Sequence, residues 1–428
     1  MYDLNFEIKD FGNINQANIK LNKITIVGGV NDSGKSTACK LLYCFLKSNF
    51  LSQKESVMDV LVDEFNTIFT NPPQDFTVDD DFEYMIQEYE KVRDEVNEYS
   101  NGKLKTKNVD SLIKLLKLFD SKKIKSNPLL QNMIFSAIVE ELLYKEGLIR
   151  FHGYSKFYSS SFESIVKIDL PPNHKERSFS TVPNYLPNCK TKGNITYSPN
   201  VYYIDSFSIL NIFNHEKSEF NLDESNSFGL VNHVDSLIND IYEMGNVGSI
   251  IWDPIYSEVI NKINDLISGD FQPTFFTNDF SFQKEGVILI PTYNTSSGIK
   301  QIGVLELLLK KDKLKPGSFL IIDEPEVNLH PEWQFKFAEI LVLLAKEANI
   351  KIYINSHSPM FIEAMDAFIE FNDMENDVNY YLTDKSSENE NKFDFNKINS
   401  NELYKIYENL GNGYKLINQL RLRKRLSR

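Results

Sequence analysis

KITIVGGVNDSGKST, residues 23–37, decides how the rest of the chain is read. Ile24 to Val27 is a β-branched, apolar run of the kind that forms a buried strand. Gly29, Gly34, Lys35 and Ser36 follow in G-x-x-x-x-G-K-[ST] spacing, and TACKLLYCFLK then has the length and periodicity of a helix. A glycine-rich turn can arise by chance, but strand, turn and helix in this order give the spacing its meaning. The backbone N–H groups of such a turn wrap phosphates. Lys35 reaches the β and γ phosphates, and Ser36 offers a hydroxyl to Mg²⁺. Asn31, Ser33 and Thr37 belong to the same wrap.

Working outward, SFLIIDEPEVNLHP (residues 318–331) reads as an apolar strand that ends in paired acids. Asp323 and Glu324 then stand at the C-terminal edge, where ligands bind in open α/β sheets. One carboxylate, Asp323, suits the Mg²⁺ shell; the next, Glu324, suits orienting or deprotonating an attacking water. Paired acids can also cap a helix, and the upstream phosphate loop argues against that reading. KIYINSHSPMF (residues 351–361) repeats the logic and delivers His357 at a strand end, between Ser356 and Ser358. A histidine there can hydrogen-bond the γ phosphate and the attacking water. His330, in LHP, suits a structural or interface role.

TSSGIKQIGVLELLLK (residues 295–310) places two serines and a glycine at the mouth of an apolar helix, expected over about residues 301–311. Such a helix end attracts anions, yet it carries no phosphate-loop lysine of its own. Alternating strands and helices with nearly continuous apolar strands predict a parallel sheet covered on both faces.

The chain has 428 residues, enough for one large or two ordinary domains. Lys plus Arg number 46 against 60 Asp plus Glu, a net charge of −14. That sign argues against nucleic acid or an anionic membrane covering the whole surface. Two basic stretches remain: residues 103–125, with eight lysines against two aspartates, and residues 421–428, with four arginines and one lysine. Solvated faces are the commoner fate of such runs, and contact with DNA or RNA is the alternative. Cys39, Cys44 and Cys189 are odd in number and lack metal-ligand spacing, which suits a reducing compartment. The first two fall on an apolar helical stretch and read as core residues. MYDLNFEIKD lacks the features of a signal peptide, and no apolar run reaches membrane-spanning length. The expectation is a soluble cytoplasmic protein with no membrane partner.

The ordered series GGVNDSGKST, SSGIKQ, LIIDEPEVNLHP and INSHSP resembles the ABC-type ATPase core of OLD/RecF-like AAA proteins. That group includes ATPase subunits of Septu-like and Paris-like phage-defence systems and is distant kin of SMC heads. The resemblance implies an α/β fold: an ABC-type P-loop ATPase head with a mixed or parallel sheet core, a largely helical insertion and an antiparallel β subdomain. It implies ATP and Mg²⁺ as cofactors, with Glu324 as the catalytic base of Walker B and His357 as the γ-phosphate switch. Ser297 and Gly298 become the signature motif, facing the nucleotide held by Lys35 of the partner subunit. That explains a phosphate-binding helix end without a phosphate-loop lysine and implies a homodimer or higher homo-oligomer. The implied division is 1–50, the N-terminal lobe with the P-loop; 51–150, the helical insertion; 151–300, a β-rich and helical part leading to the signature. Residues 301–370 form the C-terminal lobe with Walker B and the histidine switch, and 371–428 a strand–helix tail with a basic end.

The sequence departs from the family pattern at two points. SSGIKQ replaces the transporter form LSGGQ, and no Q-loop glutamine is evident, although Asp205 and Ser206 follow a strand at a plausible place. The tail after about residue 371 lacks the strand–acid pattern of a Toprim nuclease, so any DNA cleavage is expected from a separate effector such as an HNH or Toprim protein. The leading expectation is an ATPase that dimerises on ATP, senses or clamps nucleic acid or an invader signal, and controls that effector in antiviral defence. The alternative is a nucleotide-gated scaffold that hydrolyses little and holds a nuclease or toxin inactive; intact Glu324 and His357 favour hydrolysis. A transporter ATPase is disfavoured because Ser36 and Ser297 stand 261 residues apart.

Overall fold

The structure is a computed structural model that describes residues 4–51, 199–205, 232–242, 254–274, 279–284 and 289–410, together with Gly286 and parts of 135–191. The insertion expected over 51–150 lies almost wholly outside the described residues, as do both basic stretches, 103–125 and 421–428.

Three strands open the chain, β1 (Leu4–Phe11), β2 (Ile14–Leu21) and β3 (Ile24–Gly29), and lead into α1 (Lys35–Leu51). Among the described residues, six short strands come later: β4 (Arg150–His152), β5 (Ser155–Phe157), β6 (Ser164–Leu170), β7 (Lys175–Thr181), β8 (Asn188–Thr191) and β9 (Val201–Ile204). Two helices, α2 (His233–Tyr242) and α3 (Pro254–Ile267), precede a small antiparallel sheet of β10 (Gly269–Thr274), β11 (Asp279–Lys284) and β12 (Ile290–Pro291). Helix α4 (Ser297–Lys310), β13 (Phe319–Asp323), α5 (Pro331–Glu347), β14 (Lys351–Ser356) and α6 (Pro359–Phe371) then alternate. The described chain closes with β15 (Val378–Lys385), β16 (Phe393–Ile398) and α7 (Tyr404–Leu410).

Eleven strands among the described residues share one sheet, in the order β8-β7-β6-β1-β2-β16-β15-β3-β14-β13-β9. From β15 to β9 every pairing is parallel, so the C-terminal ends of β3, β14, β13 and β9 lie along one edge. The antiparallel strands expected as a subdomain continue this same sheet, because β2 pairs with β16 in parallel. The mixed α/β architecture expected from the sequence is the one the chain adopts.

The parallel strands are apolar throughout because both faces are covered. Ile24, Ile26, Tyr202, Ile204, Leu320, Ile322, Ile352 and Ile354 belong to one core, packed under α3, α4, α5 and α6. Their neighbours Val27, Val201, Tyr203, Phe319, Ile321 and Tyr353 face the other core, under α1. The two-residue period of a strand thus splits each run between two hydrophobic layers. Cys39 and Cys44 are buried free thiols in the α1 layer, as expected. Among the described residues no helix is long and apolar enough to cross a membrane.

Three local outcomes differ from expectation. Helix α4 begins at Ser297 rather than near Gln301, because the Ser296 side chain caps it by accepting from the Ile299 N–H at 3.4 Å. Of the apolar run GVILIP (residues 286–291), expected from its pattern to be a strand, the described residues show β12 at its end. The tail holds a second strand, the half-polar β16, as the antiparallel partner of β15.

Candidate nucleotide-binding site

The strand β3 is buried along its whole length and ends in the phosphate-loop turn. Gly29 has φ +155°, and a Cβ there would stand 1.8 Å from Thr383 Oγ1, so only glycine fits beside the neighbouring β15. The turn is tied down on both sides. Asn13 Nδ2 donates to the Asp32 carbonyl and carboxylate at 3.0 and 2.8 Å, and Thr383 Oγ1 donates to Ser33 Oγ at 2.9 Å. Lys35 is 5% exposed, and its Nζ donates to the carbonyls of Gly29 and Val30 at 3.0 and 2.6 Å. Burial holds its pKa below the usual lysine value, against the pull of Asp323, Glu324 and Glu326. Asn31 and Ser36 are exposed, Gly34 and Thr37 half-buried, and Ser33 buried.

Parallel pairing sets the other groups level with this turn: Asp323 is opposite Asn355, and Ser356 is opposite Gly28. The buried Asp323 carboxylate accepts from the Ser36 hydroxyl and from Asn355 Nδ2, the latter at 3.1 Å. Desolvation raises its pKa despite these bonds. A buried carboxylate beside a hydroxyl and a phosphate loop fits the donor set of Mg²⁺, which completes its shell with phosphate oxygens and water. The sequence-assigned pair of metal ligands therefore comes together.

Glu324 leaves the strand at φ +54°, a left-handed conformation that costs a non-glycine residue roughly 1–2 kcal/mol. Its N–H still donates to the Asn355 carbonyl at 2.9 Å, so the turn is held while the side chain swings to the rim. There Glu324 Oε1 lies 3.3 Å from His357 Nδ1, both residues being about one-third exposed. Helix α4 exposes Ser297 and buries Gly298, whose Cα packs so closely that a Cβ would stand 3.0 Å from Leu329 Cδ2. Gln301 Nε2 donates to the Pro325 carbonyl, which ties the helix to the turn after Asp323. The structure thus seats Ser297 and Gly298 beside their own chain's acidic turn. His330 caps α5, its Nδ1 accepting from the Glu332 N–H at 3.4 Å. Asp205 lies at the end of β9 and faces His233 Nε2 at 2.9 Å; Ser206 lies outside the described residues.

Four contributors lay outside the sequence-assigned site: Asn13, Thr383, Asn355 and Glu326. Each acts on a group distant in sequence. Only Glu326 carried a hint, as a further acid in DEPE.

The model of the AAA ATPase domain family matches residues 1–362. No curated protein matches the chain. Among solved structures, the chain is similar to an SMC head domain from Thermotoga maritima, with TM-score 0.40 and 10% identity over 93% of this chain and 99% of that one. It is similar also to an Smc head bound to the C-winged helix domain of ScpA, with TM-score 0.46 and 11% identity over 94% and 99%. A third, an Smc head with an extended coiled coil bound to the C-terminal domain of ScpA derived from Pyrococcus furiosus, gives 0.42 and 10% over 95% and 98%. These likenesses are distant and carry no weight beside the family match, which spans most of the length and includes the phosphate loop, the acidic strand end and the histidine. The chain belongs to the AAA ATPase domain family.

Proposed function

We propose that the chain binds ATP with Mg²⁺ and hydrolyses it as a dimer whose two sites are each completed by the other protomer. The observation that carries this reading is the convergence of Ser36, Asp323, Glu324 and His357 at one edge of parallel strands, around the lysine of a phosphate loop. Lys35 exchanges its carbonyl partners for β and γ phosphate oxygens, and the exposed loop amides wrap the rest. Ser36 and Asp323 would hold Mg²⁺, which supplies charge neutralisation at the phosphates. Glu324 orients water and takes its proton as the oxygen attacks the γ phosphorus, and His357 donates to the γ phosphate. The bond to the β-phosphate oxygen breaks, giving ADP and phosphate.

The dimer follows from α4. Its N-terminus exposes Ser297, lies against the chain's own acidic turn and belongs to no phosphate loop, its nearest lysine, Lys300, being buried, so its anion-attracting end suits the γ phosphate held by Lys35 of the partner subunit. The motif series supports a role in prokaryotic antiviral defence, in which ATP-driven closure clamps DNA or RNA, or registers an invader signal, and controls an HNH or Toprim nuclease. The test is to add ATP and Mg²⁺ to the purified chain and record mass and turnover with and without DNA. A shift to dimer mass with phosphate release is expected. A chain that stays monomeric and releases no phosphate would contradict the reading.

A further inference from the structure

We infer that Glu326 is a positioning residue that fixes where His357 stands relative to the γ phosphate; this rests on the hydrolytic reading above. Glu326 is 6% exposed, deep beneath a turn whose neighbour Glu324 is at the surface. One oxygen, Oε1, collects three donors from the loop that follows β14: Ser356 Oγ at 2.9 Å, the His357 N–H at 2.7 Å and the Ser358 N–H at 2.9 Å. The same oxygen lies 3.2 Å from His357 Nδ1. A single carboxylate thus holds the backbone of the histidine on both sides and touches its ring.

The placement is purposeful in energetic terms. A buried carboxylate is costly to desolvate, and donors to its charged form offset that cost. Burial pushes the Glu326 carboxyl up, while the loop bonds and His357 oppose the shift. The loop is also the entry to α6, whose cap Ser358 accepts from the Phe361 N–H at 3.2 Å and donates to Gln334 at 3.0 Å. The negative oxygen therefore sits at a helix N-terminus, where charge is favoured. On its other side, the turn that carries Glu326 is anchored to the signature helix through Gln301 and the Pro325 carbonyl. Nothing in this arrangement brings Glu326 to the nucleotide; it acts through the histidine.

The test measures ATP binding and steady-state turnover for Glu326→Ala, Glu326→Gln, His357→Ala and the Glu326→Ala/His357→Ala double variant. Misplacing a catalytic group by about 1 Å costs on the order of tenfold to a hundredfold in rate. Glu326→Ala is expected to lose that much in kcat with KM for ATP changed less than about twofold. Glu326→Gln keeps an amide oxygen for the three donors and should recover most of the rate. The double variant should be no slower than His357→Ala alone, since both changes disable one group. If Glu326→Ala fails to fold, Glu326→Asp carries the test: it keeps the charge but withdraws the acceptor by one methylene, and a lowered kcat at unchanged KM is expected. Wild-type kcat in these truncated variants, or losses that multiply in the double variant, would overturn the role of Glu326. Absence of turnover in the wild-type chain would instead overturn the hydrolytic reading, and this inference with it.

Discussion

His233 and His357 each face two carboxylates, yet one is sealed in the interior and the other stands at the rim of the site. His233 is 5% exposed; its Nδ1 lies 2.6 Å from Glu146 and its Nε2 2.9 Å from Asp205. Its ring packs on Tyr203 at 4.3 Å between centroids, and its N–H donates to Glu146 at 2.6 Å. Burial alone would lower its pKa, but Asp205 and Glu146 outweigh burial and push it up to about 9. Because Lys40 of α1 donates to the Glu146 carbonyl at 3.2 Å, the cluster fastens three distant segments beside the phosphate-loop helix. His357, by contrast, is 37% exposed, and both of its carboxylates approach the same nitrogen. A histidine gripped on both nitrogens by acids is a structural cation. One gripped on a single side, at an open edge, is placed to meet something outside the protein.

The most severe change to the rim spares the interior cluster altogether. Lys35→Ala removes the charge-assisted contact to the β and γ phosphates and should weaken ATP binding about a hundredfold or more. Titration with a fluorescent ATP analogue checks it, and affinity near wild type would show that the phosphate loop is misassigned. Glu324→Gln should leave binding intact and slow turnover by on the order of 10²-fold or more, with ATP-bound dimers accumulating. Turnover at the wild-type rate would remove Glu324 from the role of base.

Substituting each histidine sharpens the contrast. His233→Ala leaves Glu146 and Asp205 facing each other uncompensated and should cost about 3 kcal/mol of stability, read from denaturant unfolding. His357→Ala should change stability by less than about 0.5 kcal/mol while lowering turnover about tenfold or more. A reversal of these two outcomes would break the comparison. The pH dependence tests the same interior cluster without a substitution. A pKa raised in the folded state contributes stability that is fully present below the ordinary histidine value of 6.5 and is lost as pH rises through about 9. Unfolding of the wild-type chain should therefore become easier across that window, and the slope should flatten in His233→Ala. Equal slopes in both would show that His233 is not the group responsible.

What was legible in the sequence tracks the same division. β3, β13 and β14 could be read because strands buried on both faces are apolar without interruption, and their ends carry acids, histidine or glycines where ligands bind. The phosphate-loop residues, Asp323, Glu324 and His357 were therefore visible one motif at a time. β16 was not, because FDFNKI is half-solvated and gains its place from β15 and β2. The start of α4 is not legible because Ser-Ser-Gly reads as a loop until Ser296 is seen as the cap. The His233 cluster joins residues 87 positions apart, and nothing local to Glu146 announces it. Glu326 sat in plain view beside Glu324, but only the fold reveals that one acid points to the rim and the next into the loop behind it.

The central claim, that each catalytic site is built from two chains, is tested most directly by mixing two inactive variants. Ser297→Arg places a bulky cation at the mouth of α4 and leaves its own phosphate loop intact; Lys35→Ala does the opposite. Each alone should fail to hydrolyse ATP, Ser297→Arg while still binding it as a monomer. A mixed dimer contains one site with an intact phosphate loop facing an intact Ser297, so phosphate release should return on mixing, to at most about half of wild type by site count. No return of activity at any mixing ratio, with both variants folded and mixed dimers present, would contradict the shared site.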